Sequence, residues 1–272
     1  MIDYIQTNTY SRSKIKDTDS VQEFSYRRYL RVIPLKTKTD KKVFYNKELN
    51  MHFESPESFY SYEIEVEDIH VNMAKEFRKA QDFLRRLNYK YDWIHLEKND
   101  NGKITRVSNL DELRKNWIKL KERILHHYKG EAAESYLEKI SDDFEHDNHF
   151  KDIFSQYYEY GLLYPPIPES HGEEWKIQRL IKLDNTPETK LMETLSFKDK
   201  HENTRRYILD WKKHDPDSPI ELKEAKGNIE YCTLSNTLKK AEAHITFAYD
   251  DSIINKWNFR LEKIENLNNQ TL

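Results

Sequence analysis

Tyr60-Ser61-Tyr62-Glu63-Ile64-Glu65-Val66-Glu67 sets a ring or a branched aliphatic against a polar side chain at every step. Successive side chains of a strand point to opposite faces, so this stretch buries one face and wets the other. A sheet with one covered face is the antiparallel pattern. Just upstream, Tyr26 to Leu35 is rich in aromatic and β-branched residues, and Pro34 predicts that this strand ends there or lies on an edge. Before it, residues 1–22 are polar with little periodicity and read as a flexible tail.

Past Glu67 the period changes. Phe77, Ala80, Leu84 and Leu87 are spaced for one face of a helix over 74–88, with Asn88 as a stop signal. Tyr89, Tyr91 and Trp93 open a strand running to Glu97. Asn99-Asp100-Asn101-Gly102 then predicts a hairpin turn, returning through Lys103 to Val107. Asn109 and Glu112 are spaced as a capping box for a helix striped by Leu110, Leu113, Trp117, Leu120, Ile124 and Tyr128, which Gly130 closes. A second helix carries Ala133, Tyr136, Leu137, Ile140 and Phe144. A third carries Phe150, Ile153, Phe154 and Tyr157 and stops near Gly161.

Tyr164-Pro165-Pro166-Ile167-Pro168 cannot continue a helix and is the sharpest internal punctuation, either a linker or, as favoured here, a rigid corner. Strand patterns then follow at Trp175–Leu183, Leu191–Phe197, Arg205–Trp211, Ile229–Leu234, Ala243–Tyr249 and Trp257–Leu261. The expected turns between them are Asn185-Thr186-Pro187, His214 to Pro219, Lys226-Gly227-Asn228 and Asp250-Asp251. Consecutive strands with short turns predict an antiparallel meander. The expected fold is α+β: N-terminal strands and a hairpin, a central helical segment, and a C-terminal antiparallel meander sheet. Its divisions are a tail over 1–22, a strand, hairpin and helical part over 23–163, and a sheet part over 169–265, the last two packed as one unit.

Composition narrows the function classes. Of 272 residues, 34% are charged and 37% hydrophobic, yet 18 Tyr, 12 Phe and 5 Trp supply the rings a folded core needs. With only 5 Gly, the chain has no glycine-rich phosphate loop, no dinucleotide fingerprint and no nucleophile elbow. A net charge of −3 implies no general attraction to nucleic acid. No apolar run approaches the ~20 residues of a membrane helix. Met1 to Ile5 lacks a signal-peptide pattern, so the expected location is the cytoplasm, with an exported form whose leader was removed as the alternative.

Candidate chemistry is sparse. Glu145-His146-Asp147-Asn148-His149 is the densest group of metal-ligating types. His146 and His149 would share a helix face, but the Glu and the four-residue spacing of a zinc protease helix are missing, and a polar junction between helices is the plainer reading. His126-His127 complement a helix C-terminus. Cys232 reads as a buried apolar thiol, with His244 its one candidate partner. The sequence implies no cofactor.

Charge is polarised along the helices. Arg78, Lys79, Arg85 and Arg86 make the first helix basic, and Glu134, Glu138 and Asp142 make a later one acidic. They are either solvated faces or a surface that docks a protein. The leading expectation is a non-enzymatic protein that binds another protein: an adaptor, an immunity-type inhibitor or an assembly subunit. The alternatives are a binder of a small apolar ligand within a curved C-terminal sheet, and a hydrolase whose site assembles from scattered residues.

Overall fold

The computed structural model describes residues 1–14, 17–47, 50–168, 171–183, 189–249 and 253–265. The expected turns at Asn185-Thr186-Pro187 and Asp250-Asp251 lie outside the described residues. The rest is mostly antiparallel sheet with few helices. The strands are β1 (Ile2–Lys14), β2 (Asp17–Asn46), β3 (Met51–Met73), β4 (Trp93–Asn99), β5 (Ile104–Val107), β6 (Lys176–Lys182), β7 (Lys190–His201), β8 (Thr204–Lys213), β9 (Ile220–Cys232), β10 (Thr237–Tyr249) and β11 (Ile253–Lys263). The helices are α1 (Arg78–Leu87), α2 (Leu110–His127), α3 (Glu131–Glu145) and α4 (Asp147–Ile153).

All these strands form one sheet in the order β5-β4-β3-β2-β1-β11-β10-β9-β8-β7-β6. Each strand pairs with its chain neighbour, except that the helices separate β5 from β6 and that β1 pairs with β11 to join the two halves. That seam corrects the reading of residues 1–22 as a tail. Tyr4 to Lys14 lie opposite Lys263 to Ile253, and Ile2 to Arg12 lie opposite Val32 to Gln22. The inward positions of β1 are Tyr4, Gln6 and Asn8, all buried. Two of the three are amides, so the apolar alternation that marks a strand is missing there. The N-terminal strands and the C-terminal meander are thus two halves of a single sheet.

Pro34 does not end its strand. β2 runs on to Asn46 and absorbs the proline in an irregularity between Pro34 and Thr37. β1 begins opposite Val32, so β2 at Pro34 has only β3 beside it, the edge position a proline tolerates. Lys226-Gly227-Asn228 is not a turn but the middle of β9. A Cβ on Gly227 would lie 2.7 Å from the Trp211 ring and 2.6 Å from the Glu242 carbonyl oxygen. Glycine is there to let Trp211 lie flat on the strand. Gly227→Val is expected to cost about 1–3 kcal/mol through overpacking. Urea titration measures it, and an unchanged midpoint would contradict this account of the ring contact.

The Asn99–Gly102 turn forms as expected, with the Gly102 N–H donating to the Asn99 carbonyl at 2.9 Å. Gly102 has φ +75°, and a Cβ there would meet the backbone of Ile167 at 2.5 Å, so the proline segment packs directly on the hairpin. Asn109 heads α2, but its side chain makes no cap bond. It accepts from His95 N–H and donates to the Trp93 carbonyl, both at 2.9 Å, tying the helix start to β4. The striped residues of α2 from Leu110 to Ile124 are buried as expected. The third helix is shorter than its pattern. α4 ends at Ile153, and 154–163 continues as turns.

Candidate functional site

The turn segment 154–163 runs as a strap across the covered face of the sheet. Tyr157, Glu159, Tyr160, Leu162 and Leu163 are all buried. Irregular backbone buried this way exposes carbonyls that no ladder satisfies, and each needs a partner. The polar residues of the sheet supply them. Gln6 donates to the Glu159 carbonyl at 2.7 Å, Asn8 to that of Tyr157 at 3.4 Å, and Arg179 to that of Gly161 at 2.8 Å. The Tyr26 hydroxyl donates to the Tyr158 carbonyl. The amides that disguised β1 are therefore the sheet's grip on the strap.

The same contacts show how far the sheet bends. Arg28 of β2 donates to the Glu159 carbonyl at 3.4 Å, and Arg179 of β6 reaches Gly161. In the sheet order β2 and β6 stand seven steps apart, or ~34 Å in a flat sheet at ~4.8 Å per step. Two residues of strap span at most ~7 Å. The sheet must curl around the strap for both arginines to reach it.

Two buried ion groups hang on this arrangement. The Glu159 carboxylate receives Arg28 at 3.1 Å and also the ammonium of Lys90, a residue in the 3-10 turn Asn88–Tyr91 that follows α1. Arg28 donates to Asn88 Oδ1 as well, at 2.5 Å. Two cations thus share one carboxylate. Burial pushes the Lys90 ammonium below its ordinary range, against the pull of Glu159. The second group pairs Arg179 with Glu193 at 2.6 Å, the carboxylate being 0% exposed. Burial pushes that carboxyl well up.

Beside Lys90 opens a cavity of about 610 Å³. It lies where the ends of β1, β2, β3 and β11 meet α1, α3 and the strap. Tyr10, Phe24, Met73, Leu84 and Trp257 make its apolar wall, and Lys90 sits at its floor. The wall is ordered by ring packing. Tyr10 stacks on Phe24 at 5.1 Å and meets the edge of Trp257 at 4.8 Å. Leu84 and Leu87 face the cavity because the periodicity of α1 puts them on one side, which was legible in the sequence. Lys90 is legible as part of the basic exit of the first helix but not as a cavity residue, and nothing local distinguishes Tyr10 and Trp257 from other strand positions.

The expected site residues fall elsewhere. His146 sits at the break between α3 and α4 in an extended conformation, with φ −116°. It therefore shares no helix with His149, whose Nε2 lies 3.3 Å from Asp143. Among the described residues, no group of three or more His, Cys, Asp or Glu side chains that could hold a metal comes together. Cys232 ends β9 opposite Thr237, whereas His244 lies opposite Lys226 and bonds Asn258 at 2.8 Å. The two are far apart along the sheet. Cys232 is half-buried rather than buried, and a bond with Ser235 lowers its thiol pKa.

Of the polarised helix faces, Arg85 and Arg86 both pair with Asp82 within α1 at 3.0 Å, and Glu138 pairs with Lys121 of α2 at 2.7 Å. Arg78, Lys79, Glu134 and Asp142 are exposed. These pairs run within α1 and between α2 and α3. They do not bring the basic and acidic helices onto each other. Among the described residues, no helix is long and apolar enough to cross a membrane.

No protein-family model matches the chain, and no curated protein matches it. A solved structure concerned with lipid–protein interactions in lipovitellin aligns with 97% of this chain and 25% of its own, at 6% identity and a TM-score of 0.39. The chain thus spans about a quarter of that protein's length, and a likeness of this degree carries no argument. What the fold and cavity define is a β-rich protein: a curled antiparallel sheet with a buried strap and a helical cover.

Proposed function

We propose that the protein binds a small apolar ligand between the sheet end and α1. The observation that carries this is the 610 Å³ cavity walled by Tyr10, Phe24, Met73, Leu84 and Trp257. Ligand pockets of ~300–1,000 Å³ with apolar walls and a few polar groups are the common form of small-molecule sites. The ligand space differs in position from the expected one. It is walled by β1, β2, β11 and α1 rather than enclosed by the C-terminal strands alone. Docking of a protein partner remains an expectation from charge pattern, and the ion pairing of Arg85, Arg86 and Glu138 weakens it. The hydrolase alternative stays an expectation; among the described residues no three or more His, Cys, Asp or Glu side chains that could hold a metal come together.

The test is titration with an environment-sensitive apolar fluorophore, following both its emission and the quenching of tryptophan. The expected result is saturable binding that Leu84→Trp, which fills the cavity, weakens at least about tenfold, the loss of roughly 1.4 kcal/mol of contact. Absence of binding, or equal binding by Leu84→Trp, would remove the proposal.

A further inference from the structure

We infer that the ligand is an amphiphile with an anionic oxygen head, seated with its head on Lys90 and its tail along the aromatic wall. This rests on the apolar-ligand reading and adds the chemistry of the head. The first observation is the charge at the floor. Lys90 lines the cavity, yet is only 7% exposed. It shares the Glu159 carboxylate with Arg28, whose side chain is fully buried. Two cations are in direct contact with this one carboxylate, and Asp143 acts on Lys90 only from further off, in a place where water reaches poorly. An isolated buried charge is costly, and an anionic ligand atom removes that cost.

The second observation is donor capacity. An ammonium has three N–H donors. Lys90 gives one to Glu159, and its Nζ otherwise lies 4.6 Å from the Tyr91 ring and 5.7 Å from the Tyr158 ring. Rings accept weakly, so an oxyanion at the floor would be the stronger acceptor. The nearby carboxylate of Asp143 is occupied by His149 at 3.3 Å. The other charged residues of the lining are Arg12, Glu23 and Glu76.

The third observation is size. At ~30 Å³ for each water-sized group, 610 Å³ holds about twenty non-hydrogen atoms. That matches a straight-chain acid of about sixteen to eighteen carbons.

The experiment displaces the bound fluorophore from the full chain with palmitate, hexadecyl phosphate, hexadecanol and hexadecylamine. These share one tail and differ in head. Palmitate or hexadecyl phosphate should bind about ten- to a hundredfold more tightly than hexadecanol, and the tighter of the two names the head. Lys90→Met should abolish that preference by weakening the acid or the phosphate far more than hexadecanol, and Lys90→Arg should keep it. Lys90→Met leaves Arg28 and Glu159 as a one-to-one pair, and a thermal melt checks that it folds. Equal binding of acid and alcohol by the unaltered protein, or a preference that survives Lys90→Met, overturns the head assignment and leaves the cavity reading standing. Failure of all four to displace the fluorophore overturns the cavity reading itself.

Discussion

Glu159→Ala is expected to be the most damaging single substitution in the chain, costing about 3–5 kcal/mol of folding stability. The carboxylate is the common partner of two buried cations, Arg28 and Lys90. Removing it leaves both charges in a desolvated site, with the strap that carries Glu159 no longer held from β2 and the α1 turn. For a chain of this size the loss corresponds to a fall in melting temperature of roughly 6–20 °C. The double variant Glu159→Gln/Lys90→Met removes one of the stranded cations and should recover part of the deficit relative to Glu159→Gln. A double-mutant cycle measures that coupling. If the two substitutions simply add, Lys90 and Glu159 do not act as a unit, and the charge argument for the cavity floor fails with them.

Arg179→Met should cost a similar amount near neutral pH, about 3–5 kcal/mol, with a pH dependence set by the carboxyl it strands. Its partner Glu193 is 0% exposed and loses its counter-ion at 2.6 Å. Burial already pushes this carboxyl well above its ordinary value of 4.5, and without the guanidinium only the Trp211 indole pulls the other way. An acid whose folded pKa lies above its unfolded one is penalised where the unfolded chain is ionised. The deficit relative to the unaltered protein should therefore be largest at high pH, and shrink as pH falls through the raised folded-state pKa of Glu193 in the unaltered protein, below which the carboxyl is neutral in both folded proteins. Urea denaturation of both proteins at several pH values reads this directly. A deficit that stays constant across that range would mean that the lost packing of Arg179 on Tyr157 and Gly161, not the stranded carboxylate, causes the damage.

The two sites also explain where the sequence was legible. Tyr60 to Glu67, the hairpin at Asn99–Gly102, the stripe of α2 and the strands from β6 to β11, β9 only in its last residues, announce themselves, because a half-buried strand or helix imposes its own period on the residues beside it. β1 did not, since Gln6 and Asn8 face inward to bind strap carbonyls and erase the period. Residues 154–157 look helical because Phe154 and Tyr157 keep helical spacing with Phe150. They leave the helix to enter the strap over 154–163, whose carbonyls accept from side chains of β1, β2 and β6. Lys226-Gly227-Asn228 resembles a turn because glycine is read locally as one. Its actual reason, the Trp211 ring on the next strand, comes from a different part of the chain.

The sequence by itself determined a strand-rich chain with a helical middle, a hairpin after the first helix and a meander at the end, because those features follow from neighbouring residues alone. Only the tertiary structure decided that β1 and β11 meet, that the sheet curls around residues 154–163, and that Arg28, Lys90 and Glu159 converge below an apolar cavity. Arg28 and Glu159 are separated by 131 residues along the chain, so no periodicity could have announced their contact. Their meeting depends on the curvature of a sheet whose opposite strands grip the same strap.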